Sequence, residues 1–296
     1  RGTGVAARAV VNTKSADPTA EAGHGARTAT VGRMLAELEA GGDAVAKRFA
    51  RTFDHWDGEI VVPRERIEAA AEQDPGELKD DIRFAHDNIR RFAEAQKATI
   101  ADCEIEIVPG FRVGQKHIPV SSVGCYVPGG RYSHIASAMM TITTAKVAGA
   151  SHIVACSPPR GSEGIAAAAL FTMDLCGADR ILSLGGVQAV AAMAFGLFGL
   201  PKADMLVGPG NQYVAEAKRI LFGRVGIDMV AGPTDSMILA DASADPYLVA
   251  CDLVGQAEHG YSSPVWLVTT DAGLAQEVMR QVPELIGKLP ELNAKS

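Results

Sequence analysis

The chain has 296 residues and a mass of 31.0 kDa, near the length at which one hydrophobic core divides into two, so we expect two lobes. Its 47% hydrophobic and 21% charged residues exclude a chain that is disordered over most of its length. The 28 Lys and Arg residues and 35 Asp and Glu residues give a net charge of −7 without a basic block, which argues against a nucleic-acid partner.

The hydropathy pattern and the cysteines indicate the compartment. The longest run without a polar residue, 189–200, is shorter than the roughly 17 residues that a membrane span needs, so we expect no membrane segment. No signal peptide is recognisable. The cysteines form no Cys-x-x-Cys pair, which predicts reduced thiols and a cytoplasmic protein. Residue 1 is Arg rather than Met, which suggests a piece of a longer chain.

The first third of the chain reads as helical. Residues 1–27 are rich in small residues without a sustained period, which predicts a mobile N-terminus. Apolar spacing then predicts two helices within 29–53, broken at Gly41-Gly42, and further helices over 63–72 and 76–100. The last of these has a predicted apolar stripe of Ile82, Phe84, Ala85, Ile89 and Phe92.

Strands begin near Cys103. Residues 104–108 alternate as in a strand, and Pro109-Gly110 predicts a turn. From Val123 onward, short β-branched runs alternate with Ala-rich helical runs, which is typical of parallel strands joined by helical crossovers. The predicted strands are 123–127, 152–156, 180–184, 204–207, 227–230, 237–240 and 265–269. The predicted helices are 137–148, 164–175, 187–195, 212–222, 246–257 and 272–286.

These elements predict an α/β protein of two lobes with Rossmann-like, mostly parallel sheets, preceded by a helical N-terminal segment. We assign residues 28–121 together with 235–296 to a first, incomplete lobe. Residues 122–234 form the second lobe and hold the predicted ligand site.

Gly-rich turns follow the predicted strands at 127–130, 184–188 and 207–211. Glycine allows the backbone to approach a ligand, and a helix that starts just afterwards offers amide donors. Any α/β protein needs tight turns, but three in succession favour a ligand cleft at the carboxyl ends of the strands. Gln188 and Asn211 end two of these turns, and their amides both donate and accept, which suits a nucleotide.

Two further clusters carry polar side chains. Gln256 and His259 are spaced i and i+3 at a predicted helix end, where they could hold a metal or simply cap the helix. Arg131 and His134 follow the first Gly-rich turn and could bind an oxyanion, or could be a surface residue and a helix cap.

Taken in order, several segments resemble the histidinol dehydrogenase family. They are Val123-Gly124-Cys125-Tyr126-Val127-Pro128-Gly129-Gly130, Gly185-Gly186-Val187-Gln188-Ala189, Gly208-Pro209-Gly210-Asn211, Glu216-Ala217-Lys218-Arg219, Ile227-Asp228-Met229-Val230-Ala231-Gly232-Pro233 and Gln256-Ala257-Glu258-His259-Gly260. The resemblance implies a zinc- and NAD-dependent enzyme that oxidises an alcohol through an aldehyde to a carboxylate. It also implies a homodimer whose metal site is completed across subunits.

The resemblance also implies roles for individual residues. Tyr126, Gln188 and Asn211 match the family's NAD contacts, and Gln256 and His259 match two of its zinc ligands and contact substrate. Thr234 matches a substrate-contacting Ser or Thr. The catalytic Glu-His pair and the other zinc ligands of the family lie beyond Ser296, so residues 1–296 alone are expected to be inactive.

The substrate is open between two alcohols. Oxidation of L-histidinol to L-histidine is the default for the family. Residues 131–134 and 234–236 look more like family members that act on sulfonated diols such as dihydroxypropanesulfonate, with Arg131 and His134 at the anionic head group. A third interpretation is a non-catalytic fragment that binds a nucleotide or forms a dimer.

Overall fold

A computed structural model describes residues 24–73, 75–129, 134–230, 234–260, 263–289 and 291–294. Ala26–Gly232 form one compact unit, and the second unit is described from Thr234 onward. The prediction of a mobile N-terminus falls on residues 1–27, of which 1–23 lie outside the described residues. Within the described part of the chain, no helix is long and apolar enough to cross a membrane.

Helices open the first unit. Helix α1, His24–Phe49, is kinked at Gly42, where φ is 57° and ψ is −140°, so the predicted break at Gly41-Gly42 is confirmed. A π-helical turn, Ala50–Asp54, continues it and ends at His55, which has a left-handed backbone. Helices α2, Arg64–Gln73, and α3, Gly76–Ala98, follow.

A hairpin separates these helices from the sheet. Strands β1, Cys103–Val108, and β2, Phe111–Gln115, pair antiparallel, as the alternation and the Pro109-Gly110 turn predict. The residues of β1 are all exposed.

A five-stranded parallel sheet forms the centre of the first unit. Its strands are β3 (Ser122–Tyr126), β4 (His152–Ser157), β5 (Arg180–Ser183), β6 (Met205–Val207) and β7 (Gly226–Ile227). The crossovers are α4 (Ile135–Ala138), a π-helical turn (Met139–Thr143), α5 (Thr144–Ala148), α6 (Ala167–Leu175), α7 (Gly186–Phe195), a 3₁₀ turn (Leu197–Gly199) and α8 (Gln212–Leu221). The predicted strands and helices are thus present, with ends that shift by a few residues.

The strand order of the sheet is β5-β4-β3-β6-β7, and every pair is parallel. The chain starts at the central strand β3, adds β4 and β5 on one side, and then crosses back to add β6 on the other. This doubly wound topology confirms the predicted Rossmann-like fold, and its order reverses between β3 and β6. In open sheets of this kind, ligands bind outside the carboxyl ends of the strands at that reversal.

Helices cover both faces of the sheet. Residues of α1, α7 and α8 pack on one face in a cluster that includes Leu38 and Met193, and α2, α3 and α4–α6 pack on the other with Ile82 and Ile142. Part of the predicted α3 stripe is wrong, because Phe84 and Phe92 are 71% and 66% exposed. Both side chains lie on the outer side of the helix, whereas Ile82 is buried.

The segment after the π-helical turn joins the edge of the sheet. Ser183 N donates to Ile60 O at 2.7 Å, and Val62 N donates to Ile181 O at 2.9 Å. Val61 forms an antiparallel bridge with Leu182. This pairing fixes the end of the π-helical turn near the carboxyl end of β5.

The second unit contains a short parallel sheet. Strands β8 (Ser236–Ala240) and β9 (Val265–Thr269) pair in parallel. Helix α9 (Pro246–Ala257) connects them, and helices α10 (Ala272–Ile286) and α11 (Glu291–Ala294) follow β9. Asp245 and Asp271 cap α9 and α10, accepting hydrogen bonds from Tyr247 N at 2.8 Å and Leu274 N at 2.6 Å. Such caps fix where the two helices begin.

The sequence-based grouping of 28–121 with 235–296 differs from the compact units of this chain. Residues 26–121 belong to the same unit as the five-stranded sheet, since α1 to α3 pack on its two faces. The assignment of 28–121 with 235–296 to one lobe and of 122–234 to another stays a prediction.

Candidate functional site

The polar residues singled out in the first unit lie at one edge of the five-stranded sheet. Tyr126 is the last residue of β3, Gln188 lies in the first turn of α7 after β5, and Asn211 precedes α8 after β6. Because these strands are parallel, their carboxyl ends meet at the same edge. The strand order reverses between β3 and β6, and both strands end at this edge.

The turn between β5 and α7 joins two of these residues. Gly186 N donates to the Tyr126 hydroxyl at 3.1 Å. Gly186 has a φ of 58°, and a Cβ built on it would lie 3.2 Å from Gln188 Oε1. The Gln188 side chain therefore packs against the same glycine. Tyr126 and Gln188 are buried, with 4% and 1% of their surfaces exposed, and burial raises the pKa of the Tyr126 phenol. The Tyr126 and Gln188 side chains thus pack against this turn and support it from within the protein.

Asp54 completes this turn, and no motif of the sequence points to it. Its Oδ2 accepts hydrogen bonds from Gly185 N at 3.1 Å and from Gln188 Nε2 at 2.9 Å. Burial raises the pKa of the Asp54 carboxyl, while its hydrogen bonds with Gln188 and Gly185 oppose that shift. A side chain at Gly185 would not fit, because its Cβ would lie 2.9 Å from Asp54 Oδ1 and 2.7 Å from Pro158 Cβ.

A second carboxylate, that of Asp228, holds the turn between β6 and α8. Asp228 Oδ2 accepts from Gly208 N at 2.8 Å, and Lys218 Nζ donates to Gly208 O at 2.9 Å and to Asp228 Oδ1. Lys218 is 1% exposed, so its charge is compensated inside the protein. The strand predicted over 227–230 ends at Ile227. The Asp228 carboxylate accepts from Met229 N at 2.6 Å, so a side chain takes the backbone donor that strand pairing would use.

Asn211 acts as the N-cap of α8. Its Oδ1 accepts from Tyr213 N at 2.9 Å and from Val214 N at 3.1 Å. The expectation that the Gly-rich turns offer their amides to a ligand therefore needs correction, because several are already bonded within the chain. Those amides are Gly185 N, Gly186 N, Gly208 N, Tyr213 N and Val214 N.

The second unit has a cavity of about 390 Å³ beside Gln256. Its lining comes from α9 and the adjoining strands: Ser236, Met237, Ile238, Cys251, Asp252, Leu253, Gly255, Gln256 and Val265. Gln256 is half-buried, whereas His259 is exposed just beyond the end of α9. That both side chains reach one cleft stays a prediction.

The described residues do not make a complete zinc site. Across residues 24–294, apart from the undescribed gaps, no group of three or more His, Cys, Asp or Glu side chains could hold a metal ion. Gln256 and His259 together supply one neutral amide and one imidazole, which is less than the four ligands of a typical zinc site.

The candidate head-group residues are only partly described. Arg131 lies outside the described residues. His134 is the N-cap residue of α4 but makes no side-chain capping hydrogen bond, which removes one of the alternatives considered for it. Thr234 is exposed at the start of the described second unit.

Comparisons with known proteins agree on the family. The family model for histidinol dehydrogenase matches residues 19–295. The chain is 65% identical to a sulfopropanediol 3-dehydrogenase of Ruegeria pomeroyi over 89% of this chain and 61% of the relative. It is 40% identical to a histidinol dehydrogenase of Escherichia coli O157:H7 over 89% of this chain and 60% of the relative.

A solved structure supports the same conclusion. The crystal structure of a histidinol dehydrogenase from Elizabethkingia anophelis matches with a TM-score of 0.82 and 33% identity, covering 96% of this chain and 64% of that chain. The chain spans 61% of the length of the sulfopropanediol 3-dehydrogenase and 60% of that of the E. coli O157:H7 histidinol dehydrogenase. With its doubly wound sheet, its match to the family over 19–295 and its relatives, the chain belongs to the histidinol dehydrogenase family.

Proposed function

We propose that this chain supplies the NAD-binding part of a dehydrogenase that oxidises a small alcohol through an aldehyde to a carboxylate. The observation that carries the proposal is the meeting of Tyr126 and Gln188 at the Gly186 turn, on the carboxyl edge of a doubly wound sheet. That edge is where open α/β sheets bind nucleotides. A tightly bonded turn supports binding because little ordering remains to be done when the nucleotide arrives.

The proposed NAD contacts are Tyr126, Gln188 and Asn211. NAD would supply the hydride acceptor of the reaction. The chain would contribute amide and hydroxyl groups held in fixed positions: Gln188 by Asp54 and Asn211 by the first turn of α8. This arrangement has no basic side chain among its three contacts, so it suits the uncharged ribose and amide edges of a nucleotide rather than its phosphates.

Zinc belongs to the proposal only for the complete enzyme. Gln256 and His259 would be two of its ligands and would also contact substrate, and zinc would supply Lewis-acid polarisation of the alcohol oxygen. The described residues do not complete a zinc site. The remaining ligands and the catalytic pair would then come from outside residues 1–296.

We favour a sulfonated diol as the substrate over L-histidinol. The 65% identity to a sulfopropanediol 3-dehydrogenase exceeds the 40% identity to the E. coli histidinol dehydrogenase by a wide margin over similar shares of the chain. The Arg131 guanidinium suits sulfonate oxygens and would repel a cationic aminoalcohol, and we assign Arg131, His134 and Thr234 to substrate contacts.

A comparison of the two substrates tests this proposal. The product of the complete open reading frame that contains this chain is assayed for NAD reduction with sulfopropanediol and with L-histidinol. We expect a kcat/KM at least about 100-fold higher for the sulfonated diol, and a loss of that preference in Arg131→Ala. Preference for histidinol that Arg131→Ala leaves unchanged would contradict the assignment, and no turnover with either would favour the non-catalytic interpretation.

Assembly and location complete the proposal. We propose a homodimer, which light scattering after gel filtration measures directly. The free cysteines, most of them buried, suit a reducing compartment, and we propose that the enzyme works in the cytoplasm. Fractionation of cells that express the protein tests the location.

A further inference from the structure

Asp54 is a half-buried acid that the proposed reaction does not use. It lies at the end of the π-helical turn, 131 residues before Gly185 and 134 before Gln188, and its carboxylate bonds to both. Partial burial of a carboxylate costs free energy, which the hydrogen bonds from Gly185 and Gln188 offset. Its place at the proposed nucleotide turn calls for a role beyond packing.

Two features of the backbone around Asp54, one at each end of the segment 55–60, fix where this residue lies. On one side the π-helical turn ends in His55, a non-glycine residue with φ 51° and ψ 37°. On the other side Ile60 accepts from Ser183 N at 2.7 Å, which ties the following segment to the edge strand β5. Left-handed backbone at a residue other than glycine is uncommon, and it points to a turn that the surrounding structure imposes.

Asp54 determines which end of the Gln188 amide faces it. An ionised carboxylate only accepts hydrogen bonds, so the NH₂ end of Gln188 must be the one that contacts Asp54 Oδ2, at 2.9 Å. The carbonyl Oε1 is thereby turned toward Gly186, the residue that also donates to Tyr126. Without the carboxylate, the amide could rotate and exchange its donor and acceptor.

We propose that Asp54 is a positioning residue of the nucleotide site, which holds the Gln188 amide so that its carbonyl oxygen accepts a hydrogen bond from a hydroxyl or amino donor of the bound nucleotide. This inference rests on the proposed NAD site. It adds the polarity of the contact: Gln188 accepts, and the nucleotide donates. Asp54 itself does not touch the nucleotide.

The polarity can be tested by exchanging the two side-chain types. In Asp54→Asn the side chain can donate or accept, so the Gln188 amide is no longer held in one orientation. In Gln188→Glu two carboxylates face each other in a buried place, which is strongly unfavourable. In the double variant Asp54→Asn with Gln188→Glu, the introduced amide can donate to the introduced carboxylate, whose second oxygen still accepts, and the net charge equals that of the wild type.

The experiment titrates NAD calorimetrically into the product of the complete open reading frame. We expect Asp54→Asn to raise the Kd for NAD about tenfold at an unchanged melting temperature, and Gln188→Glu to raise it further. The double variant should bind within about threefold of the wild type, a rescue that a merely structural role for Asp54 does not predict. Asp57→Asn is the matched control, because Asp57 is exposed and pairs with exposed Arg51, and it should bind NAD as the wild type does.

Two results overturn the inference. Wild-type affinity in Asp54→Asn, or a double variant that binds no better than Gln188→Glu alone, would mean that Asp54 does not set the polarity of Gln188. These results leave the NAD site itself intact. Absence of NAD binding by the wild type would instead overturn the proposed function together with this inference.

Discussion

The ammonium group of buried Lys218 and the partly exposed carboxylate of Asp228 form an ion pair that holds Gly208 from both sides. Lys218 Nζ donates to Gly208 O at 2.9 Å, and Gly208 N donates to Asp228 Oδ2 at 2.8 Å. The pair thus fixes the peptide groups on either side of Gly208, at the reversal of strand order. The Lys218–Asp228 ion pair therefore stabilises the turn that leads to Asn211.

Removal of Lys218 should destabilise the protein more than removal of an exposed cation does. Lys218→Met retains most of the side-chain volume but leaves Gly208 O and the partly exposed Asp228 carboxylate without their donor, so the free energy of unfolding should fall by about 2 kcal/mol. Arg90→Met is the control: Arg90 and Glu94 form an exposed pair, and its loss should cost under about 1 kcal/mol. Urea denaturation of both variants measures the difference, and equal losses would show that the Lys218–Asp228 pair stabilises the fold no more than an exposed pair does.

Gly208 should not tolerate even a methyl group. Its φ is 110°, and a Cβ there would lie 2.1 Å from Tyr126 O, a backbone atom that cannot move aside cheaply. Gly208→Ala should therefore lower the free energy of unfolding by about 3 kcal/mol or more. Gly223→Ala isolates the backbone effect, since φ is 98° with nothing within 4 Å, and should cost about 1 kcal/mol. A Gly208→Ala protein as stable as Gly223→Ala would be inconsistent with the close approach of the two strands.

The sequence predicts the elements of this fold better than its site. Helix α9 and strand β9 match the predicted 246–257 and 265–269, because Pro at a helix start and a bounded β-branched run are strong local signals. The exposed Phe84 and Phe92 show the limit of periodicity: a residue can lie near a stripe and still point outward. Helix partners, which the sequence does not show, decide which side is buried.

The carboxylates of the site could not be predicted in the same way. Asp54 reaches Gln188 from 134 positions away, and nothing near Asp54 in the sequence marks it. Lys218 and Asp228 lie within segments that resemble the family, yet their pairing around Gly208 depends on how α8 returns to the sheet. Local patterns locate the Gly-rich turns, whereas the groups that hold those turns come from long-range packing.

The cysteines should differ sharply in reactivity. Burial raises the pKa of Cys125 to about 12 and of Cys176 to about 11, and it also raises that of Cys156. Raised thiol pKa values keep these groups protonated, and the protonated thiol is not the nucleophile that alkylating reagents need. Exposed Cys103 should react first with iodoacetamide in the folded protein, and mass spectrometry of Cys103→Ser should show that early adduct lost. Early labelling of Cys125 or Cys156 would contradict the burial.

Residues 1–296 alone should bind zinc poorly. Gln256 and His259 offer no negative charge to a divalent cation, and the described residues contain no cluster of three or more acidic, His or Cys ligands. After dialysis, metal analysis should find well under one zinc per chain, and no NADH should form with either candidate substrate. One tightly held zinc with turnover would mean that ligands within residues 1–296 complete the site. The product of the complete open reading frame is the positive control.

The central claim is that NAD binds at the carboxyl edge of the five-stranded sheet. Hydrogen–deuterium exchange with and without NAD tests it most directly, because exchange slows where a ligand covers or stiffens the backbone. We predict NAD-dependent protection in three segments, 126–129, 185–189 and 208–214, with the hairpin 103–115 unchanged as an internal control. Protection confined to residues 236–256, or no protection at saturating NAD, would contradict the account.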